Sequence, residues 1–596
     1  MPPKQPPSAV HYRIELADLH AHLFRVTLTI ARPQAQQRVA LPVWIPGSYL
    51  VREFAKHLQR LQARQGGKAV ALQQLDKCSW QIDCTPQRPL VLSYEVYAYD
   101  NSVRTAWLDA TRGFFNGTSL CLRVLGLEDA PHQLELAPNR ATSHWSAVSG
   151  LTPVKLNRRG FGLYRAADYD ELVDCPFELG DFWCGSFKAA GVPHRFVVAG
   201  APPSFDGERL LADVRRICEA EIRFWHGEGK RTSRKPPFYS YVFMLNATDD
   251  GYGGLEHRNS TALICSRRDL PRLGARPGDG YTTLLGLISH EYFHTWNVKR
   301  LRPAELTRYD YSQENYTRLL WFFEGFTSYY DDLLLRRAGL IDDTGYLKLL
   351  NKTINQVQQT PGRQVQSVAQ ASFDAWVKYY RQDENTPNAT VSYYSKGALV
   401  ALCLDLSLRA EGPHTLDEVM RALWQRCRGG PMTEGDLLQT LHAVSGRSWA
   451  RELQRWVHST AELPLHELLS RHGVTVHEEP AQLAQQLGLR VTDGAAIQIK
   501  TVLRGGAAEQ AGLAAGDEWL GVEVGSGKAR SSWRLTRLDD LPLYAGTHSK
   551  VRALVARDRR LLQLPLTLPR GVTTWRLSAG DAARVAAWLA ACPLAP

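Results

Sequence analysis

His290-Glu-Tyr-Phe-His294, followed by Leu320-Trp-Phe-Phe-Glu-Gly-Phe-Thr-Ser-Tyr-Tyr330, is the pair of segments from which the rest of the chain is read. On a helix, residues i and i+4 share a face, so His290 and His294 can reach one ion together. Glu291 then projects beside that ion, where a general base would act. The preceding Leu284-Leu-Gly-Leu-Ile288 supplies the apolar helical face that this reading requires. Glu324 stands in a strongly apolar run of helical character. A carboxylate there is costly to bury unless it is paired or holds a metal. The alternatives are a solvent-facing side chain or a partner such as Arg318. Two histidines and one glutamate leave the fourth position of a zinc ion open to water, the catalytic arrangement. The expectation is one Zn2+ held by His290, His294 and Glu324, with Glu291 as the base.

Working outward, the 596 residues exceed what one hydrophobic core supports, so several domains are expected. From His11 to about Asp170 the pattern alternates in short stretches. Phe24–Ile30 and Leu90–Tyr97 read as strands, which predicts an antiparallel β domain, a sandwich. Around Leu210–Trp225 the period is helical, between strand-like Arg195–Ala199 and Tyr239–Leu245. From Tyr281 to about Leu469 it is helical, with long segments at Leu319–Arg337 and Lys396–Arg409. Val502–Val522 reads as strand, turn, short glycine-ended helix and strand, and Asp581–Ala591 as a closing helix. The predicted architecture is multidomain α+β: a β-sandwich domain at 1–174, an α+β, largely helical catalytic domain at 175–470, a further small domain at 471–570 and a helical tail at 571–596.

Composition narrows the function classes. The formal net charge is +11, but Lys and Arg are spread along the chain without a basic block or nucleic-acid motif, so no nucleic-acid partner is expected. No run of eighteen apolar residues is present, so no membrane span is expected. Met1-Pro-Pro-Lys-Gln-Pro-Pro shows neither an apolar core nor a cleavage site, which predicts a cytoplasmic protein, or a periplasmic one if the start is misassigned. The ten cysteines form no CxxC pair. Cys78/Cys84 and Cys175/Cys184 are close enough to bridge, but free thiols are the expectation.

His290-Glu-Tyr-Phe-His-Thr-Trp-Asn-Val-Lys-Arg-Leu-Arg-Pro303 with Leu320–Tyr330 resembles the glycyl aminopeptidase family of zinc metallopeptidases, within the thermolysin-like, glutamate-zincin clan. The resemblance extends to Leu41-Pro-Val-Trp-Ile-Pro-Gly-Ser-Tyr-Leu50, Gly253-Gly-Leu-Glu-His257, Tyr393-Tyr-Ser-Lys-Gly397 and the tail, and so spans nearly the whole chain. It implies a thermolysin-like catalytic domain and release of small amino-terminal residues, glycine or alanine.

Gly253-Gly-Leu-Glu-His257 resembles the exopeptidase strand of related zinc aminopeptidases, which implies that Glu256 holds the substrate's α-amino group and that Gly253 and Gly254 admit its backbone. A carboxylate partner for an ammonium and glycines for close approach are physically sound. His257 stands where asparagine is commoner, and the plain alternative is a hairpin with exposed Glu and His. Tyr394-Ser-Lys-Gly397 resembles the segment that supplies an oxyanion-stabilising hydroxyl, with Tyr393 as the rival. An acid often follows the third ligand by one turn; here that position is Ser328, and Asp331 or Asp332 would have to serve. The loop with Arg300, Arg302 and Asp310 is expected near the cleft, the arginines binding a substrate carboxylate or pairing with acids. Leu503–Asp517 resembles a PDZ domain core, with Leu487-Gly-Leu-Arg-Val491 as a loose candidate carboxylate loop and a peptide tail as the implied ligand. Three functions follow: a zinc aminopeptidase, a PDZ-assisted zinc endopeptidase, or an inactive peptide-binding protein.

Overall fold

In strand Val10–Asp18 nearly every second side chain is buried, and Leu23–Ile30 and Leu90–Tyr97 follow the same rule over most of their length. This is the signature of strands with one face on a core. The structure, a computed structural model, describes residues 9–227 and 235–591. These strands belong to an eight-stranded sheet, which shares one core with two four-stranded sheets. The expectation of a purely antiparallel domain is corrected: Val10–Asp18 runs parallel to His132–Leu136, with Val10 opposite His132. Side chains alternate in both kinds of pair, so the pattern alone does not separate them. Phe177–Gly180 pairs with Arg112–Phe115 and Ser146–Ser149, so these sheets extend past residue 174.

A five-stranded sheet comes next, in the order Trp183–Ala189, Val192–Ala199, Tyr241–Thr248, Ser260–Ser266, Tyr252–Glu256. Tyr252–Glu256 is therefore an edge strand. The strand predicted to start at Tyr239 starts at Tyr241, and Tyr239 is exposed. Helix Gly207–His226 packs on this sheet, with the Asp206 carboxylate accepting from the Arg209 N–H as its cap.

Three buried helices carry the centre of the molecule. They are Asp279–Phe293 (the motif helix), Leu320–Arg337 (the glutamate helix) and Tyr393–Glu411 (the tyrosine helix). Apolar side chains surround them on most sides, as suits helices within a core. The glutamate and tyrosine helices touch backbone to backbone. A Cβ on Gly325 would lie 2.5 Å from Gly397 Cα, and one on Gly397 would lie 2.5 Å from the Trp321 carbonyl oxygen. Side-chain size at a crossing sets the interaxial distance, and here it is reduced to nothing.

Beyond Arg471, Val474–Pro480 pairs antiparallel with Thr573–Ala579. The segment expected as a purely helical tail thus begins with a strand. Its helix, Ala582–Leu589, is capped by Asp581 and buries Val585, Trp588 and Leu589 against the helical core. Between these two strands lies a six-stranded sheet, from Leu489–Thr492 to Arg560–Thr567, with its own core. Strand Ile497–Val502, helix Ala507–Gln510, Gly512 at φ 82° and strand Glu518–Val524 follow the predicted order. In the candidate carboxylate loop, the Gly488 N–H already donates to the Gln485 carbonyl at 3.1 Å. This unit is tied to the helical part through Asn388, whose amide donates to the Val502 carbonyl and accepts from the Arg504 N–H. The described cysteines, including Cys78, Cys84, Cys175 and Cys184, are all free thiols. No helix among the described residues is long and apolar enough to cross a membrane.

Candidate metal centre and peptide cleft

The motif helix anchors itself through Leu284, Leu285, Leu287 and Ile288, all buried. His294 is its C-cap and keeps right-handed helical backbone angles, so both imidazoles project from one face. Their Nε2 atoms are 3.1 Å apart. The glutamate helix brings Glu324 Oε2 to 3.1 Å from His294 Nε2 and 3.5 Å from His290 Nε2. Arg318, the alternative partner for Glu324, lies over the Phe373 ring instead.

The outer nitrogens decide what this cluster is fit to hold. His294 Nδ1 is 2.8 Å from the Asn297 carbonyl, which only accepts, so Nδ1 donates and a neutral ring carries its lone pair on Nε2. His290 Nδ1 is 3.0 Å from Asp331 Oδ2, with the same consequence. Three electron-rich atoms then face one another, and a cation between them removes their repulsion. Tetrahedral zinc with bonds of about 2.0–2.2 Å separates its ligands by roughly 3.4 Å. The donors present fit such an ion. Val298, immediately after Asn297, has φ 122°, a strained value for a β-branched residue beside the carbonyl that orients His294.

Without an ion, protons compete for the same place. Burial alone lowers the imidazole pKa values, but Asp331 and Glu324 hold His290 well above its ordinary value, and Glu324 raises His294. As pH falls through these raised values, imidazolium forms and metal affinity drops. Loaded protein dialysed at about pH 5 is therefore expected to retain less metal than at about pH 8. Equal metal content at both would remove the histidines from the proposed ligand set.

The edge strand Tyr252–Glu256 lies directly on the motif helix. A Cβ on Gly254 would sit 2.1 Å from Glu291 Oε1, so only a glycine backbone fits there. Glu256, Glu291 and His294 bring carboxylate and imidazole atoms within 4.8 Å of one another. Burial pushes the Glu291 carboxyl up to about 7; His290 and His294 pull it down, while Glu256 and Glu324 add to the rise. Burial acts in the same sense on Glu324, but the two histidines outweigh it and bring that carboxyl down to about 2. Glu256 is buried, not exposed on a hairpin. The N-terminal domain closes over it at Gly47, whose Cβ would lie 2.6 Å from both Glu256 oxygens and whose φ of 93° suits glycine. His257 turns away from the cleft towards Asp174, at 3.2 Å, and Lys299 meets the same carboxylate at 2.7 Å. Burial works against the Asp174 charge, yet Lys299, His257 and Arg258 hold its carboxyl well below the usual range.

Tyr394 stacks on the His290 ring, with centroids 6.1 Å apart, whereas the Tyr393 hydroxyl is fully buried and has no hydrogen-bond partner. Tyr380, which sequence reasoning missed, places its hydroxyl 3.5 Å from that of Tyr394. Asp331 occupies the position behind His290 that was left between Asp331 and Asp332. No hydrogen bond joins Ser328 to either histidine among the described residues. Glu221, also missed, stands behind the motif helix, with Ser289 Oγ 3.1 Å from its Oε1. Arg300 and Arg302 enter no ion pair with an acid among the described residues: Arg300 donates to the carbonyls of Arg258, Thr295 and Pro237, and Arg302 to that of Lys299. Asp310 ties its own loop through Ser312 and Gln313.

Comparison with known proteins gives the following. A family model described as M61 glycyl aminopeptidase matches residues 283–400, and one described as the peptidase M61 N-terminal domain matches residues 11–181. An aminopeptidase N family protein from Idiomarina loihiensis is 36% identical, with 98% of this chain and 100% of that chain covered and a TM-score of 0.91. An M1 zinc metallopeptidase variant from Deinococcus radiodurans is 15% identical over 76% of this chain and 94% of its own, with a TM-score of 0.47. No curated protein gives a match.

Proposed function

Because the chain belongs to the M61 glycyl aminopeptidase family and is a peptidase, we propose that it is a zinc-dependent aminopeptidase that releases small residues, glycine and alanine, from the amino terminus of peptides. The observation that carries this reading is the approach of Glu256 to Glu291 and His294 within 4.8 Å. An ammonium held by Glu256 leaves only the first peptide bond within reach of the base. The preference for small residues rests on the family description.

His290, His294 and Glu324 are the residues that would hold the ion. When bound, zinc supplies Lewis acidity: it lowers the pKa of a water it holds to roughly 7 and polarises a carbonyl oxygen. Glu256 pairs with the substrate ammonium in a buried setting, where a charge-assisted hydrogen bond is strong. Edge strand Tyr252–Glu256 offers its unpaired backbone to an extended peptide except at the Gly254 carbonyl, which Arg104 takes, and the missing side chains of Gly253 and Gly254 let that peptide come close. Glu291 takes the proton from the attacking water and passes it to the departing amine. Tyr394 donates its hydroxyl to the oxyanion of the tetrahedral intermediate. Asp331 and the Asn297 carbonyl fix the tautomers and ring planes of the two histidines. The C-terminal six-stranded unit is read as PDZ-like, and its bond through Asn388, shortly before Tyr394, supports a buttressing role.

The test is an assay of zinc-loaded and chelator-treated protein on glycyl- and alanyl-anilides beside their acetylated forms. Chelator-sensitive release from free amines alone is expected; cleavage of acetylated peptides would replace this reading with a docking-assisted endopeptidase. Glu256→Ala is expected to lower kcat/KM on free-amine substrates roughly tenfold to hundredfold, the worth of a hydrogen bond to a charged group. An unchanged value would mean that the amine is held elsewhere.

A further inference from the structure

Two arginines of the N-terminal domain stand near the edge strand and the Gly47 turn, with Asp100 as a nearby acid that partly offsets Arg52. Arg104 Nη2 donates to the Gly254 carbonyl at 3.0 Å, and its Nη1 lies 3.8 Å from where a Cβ of Gly253 would stand. Its guanidinium thus stands at the border of the glycine pair on the edge strand. Arg52 follows the Gly47 turn that closes over Glu256, and its Nη2 donates to Ser48 Oγ at 2.7 Å. In both side chains Nε is buried without a hydrogen-bond partner, and neither arginine enters an ion pair among the described residues. An unpaired buried donor on a cation is a costly feature that an anion removes. Burial and the neighbouring Arg104 press Arg52 down to about 10, while Tyr380 and Asp100 act the other way. Arg52 also faces a cavity of about 210 Å3, with Lys56, His57 and the acid Asp100 on its wall.

We propose that Arg52 and Arg104 form an anion subsite that takes the C-terminal carboxylate of a short peptide, so that the substrate is gripped at both ends. This rests on the aminopeptidase reading, with Glu256 at the amine. The dimensions agree. Glu256 and Gly253 are three residues apart on a strand, roughly 10 Å. An extended peptide advances about 3.3–3.6 Å per residue, so the span suits a di- or tripeptide. Tyr380 stands beside the proposed oxyanion group, with its hydroxyl 3.5 Å from that of Tyr394. The substrate class is therefore free-acid oligopeptides of two or three residues, not the amino termini of folded proteins.

The experiment compares trialanine with its C-terminal amide on the full-length, zinc-loaded protein. The free acid is expected to be favoured in kcat/KM by roughly tenfold to hundredfold. Arg52→Gln and Arg104→Gln should each bring that ratio towards about one, while Arg52→Lys retains part of it. Arg104 also supports the edge strand; Arg52→Gln leaves that strand untouched and keeps the comparison decisive. Calorimetric binding of the same two ligands to the Glu291→Gln variant gives a readout without turnover. If no substrate is cleaved, the peptidase mechanism fails, while tighter binding of the acid than of the amide still upholds the subsite. Equal treatment of acid and amide by the unsubstituted protein, or a ratio that survives both glutamine substitutions, overturns it.

Discussion

Replacement of Glu291 by glutamine is expected to lower kcat by about 10^2–10^4-fold, the range for loss of a positioned general base, with metal content unchanged. The substitution keeps shape and volume, so the contact with Gly254 survives, and it removes only the capacity to accept a proton. Stability should not suffer. A carboxyl raised by burial to about 7 from an ordinary 4.5 costs the metal-free fold stability as pH rises between those values, because the native state then binds more protons than the unfolded chain. The neutral amide removes that cost, so the melting temperature at neutral pH should hold or rise. Steady-state kinetics, elemental analysis and a thermal melt on one preparation decide the matter. Loss of metal would place Glu291 among the ligands, and retained turnover would move the base elsewhere.

Glu324→Ala should give the opposite signature: metal lost first, and activity with it. Substitution of groups that merely orient a ligand typically costs 10–100-fold in metal affinity or activity. Removal of one of three protein donors should cost more than about 100-fold. The two histidines lose the carboxylate that raises their pKa values and are left facing one another at 3.1 Å. Metal content measured after exchange against a weak chelator is the readout. Full occupancy in this variant would strike Glu324 from the proposed set, whatever happens to the rate. The two variants together separate holding the ion from using it.

Much of this centre is written locally in the chain. The i, i+4 histidines and a glutamate in an apolar helical run lead to one another because helix geometry and burial cost are local physics. Helix phase also held an unused clue: Asp331 is seven residues after Glu324, about 20° from the same face, whereas Asp332 is about 80° away. That difference picks Asp331. Other parts had no local signal. Gly47 and Arg104 approach Glu256 and Gly254 from an N-terminal domain some 150–200 residues distant, and only the assembled sheets bring them there. Arg300 and Arg302 look like ligand-binding charges in sequence, yet Arg300 is tied to three backbone carbonyls and Arg302 to one, partners that irregular buried backbone needs. The parallel pairing of Val10–Asp18 was illegible for a similar reason, since register depends on the partner strand.

The contact between Gly325 and Gly397 fixes more than a helix crossing. Gly325 follows the proposed third ligand, and Gly397 lies one turn after Tyr394, so this one joint sets the position of both the Glu324 carboxylate and the Tyr394 ring beside His290. The two groups form the jaws of a caliper whose opening cannot be reset one jaw at a time. Whatever spreads the helices blunts ion and hydroxyl together. Differences in substrate range would then have to come from groups outside this joint: the edge strand, Tyr380 and the two arginines.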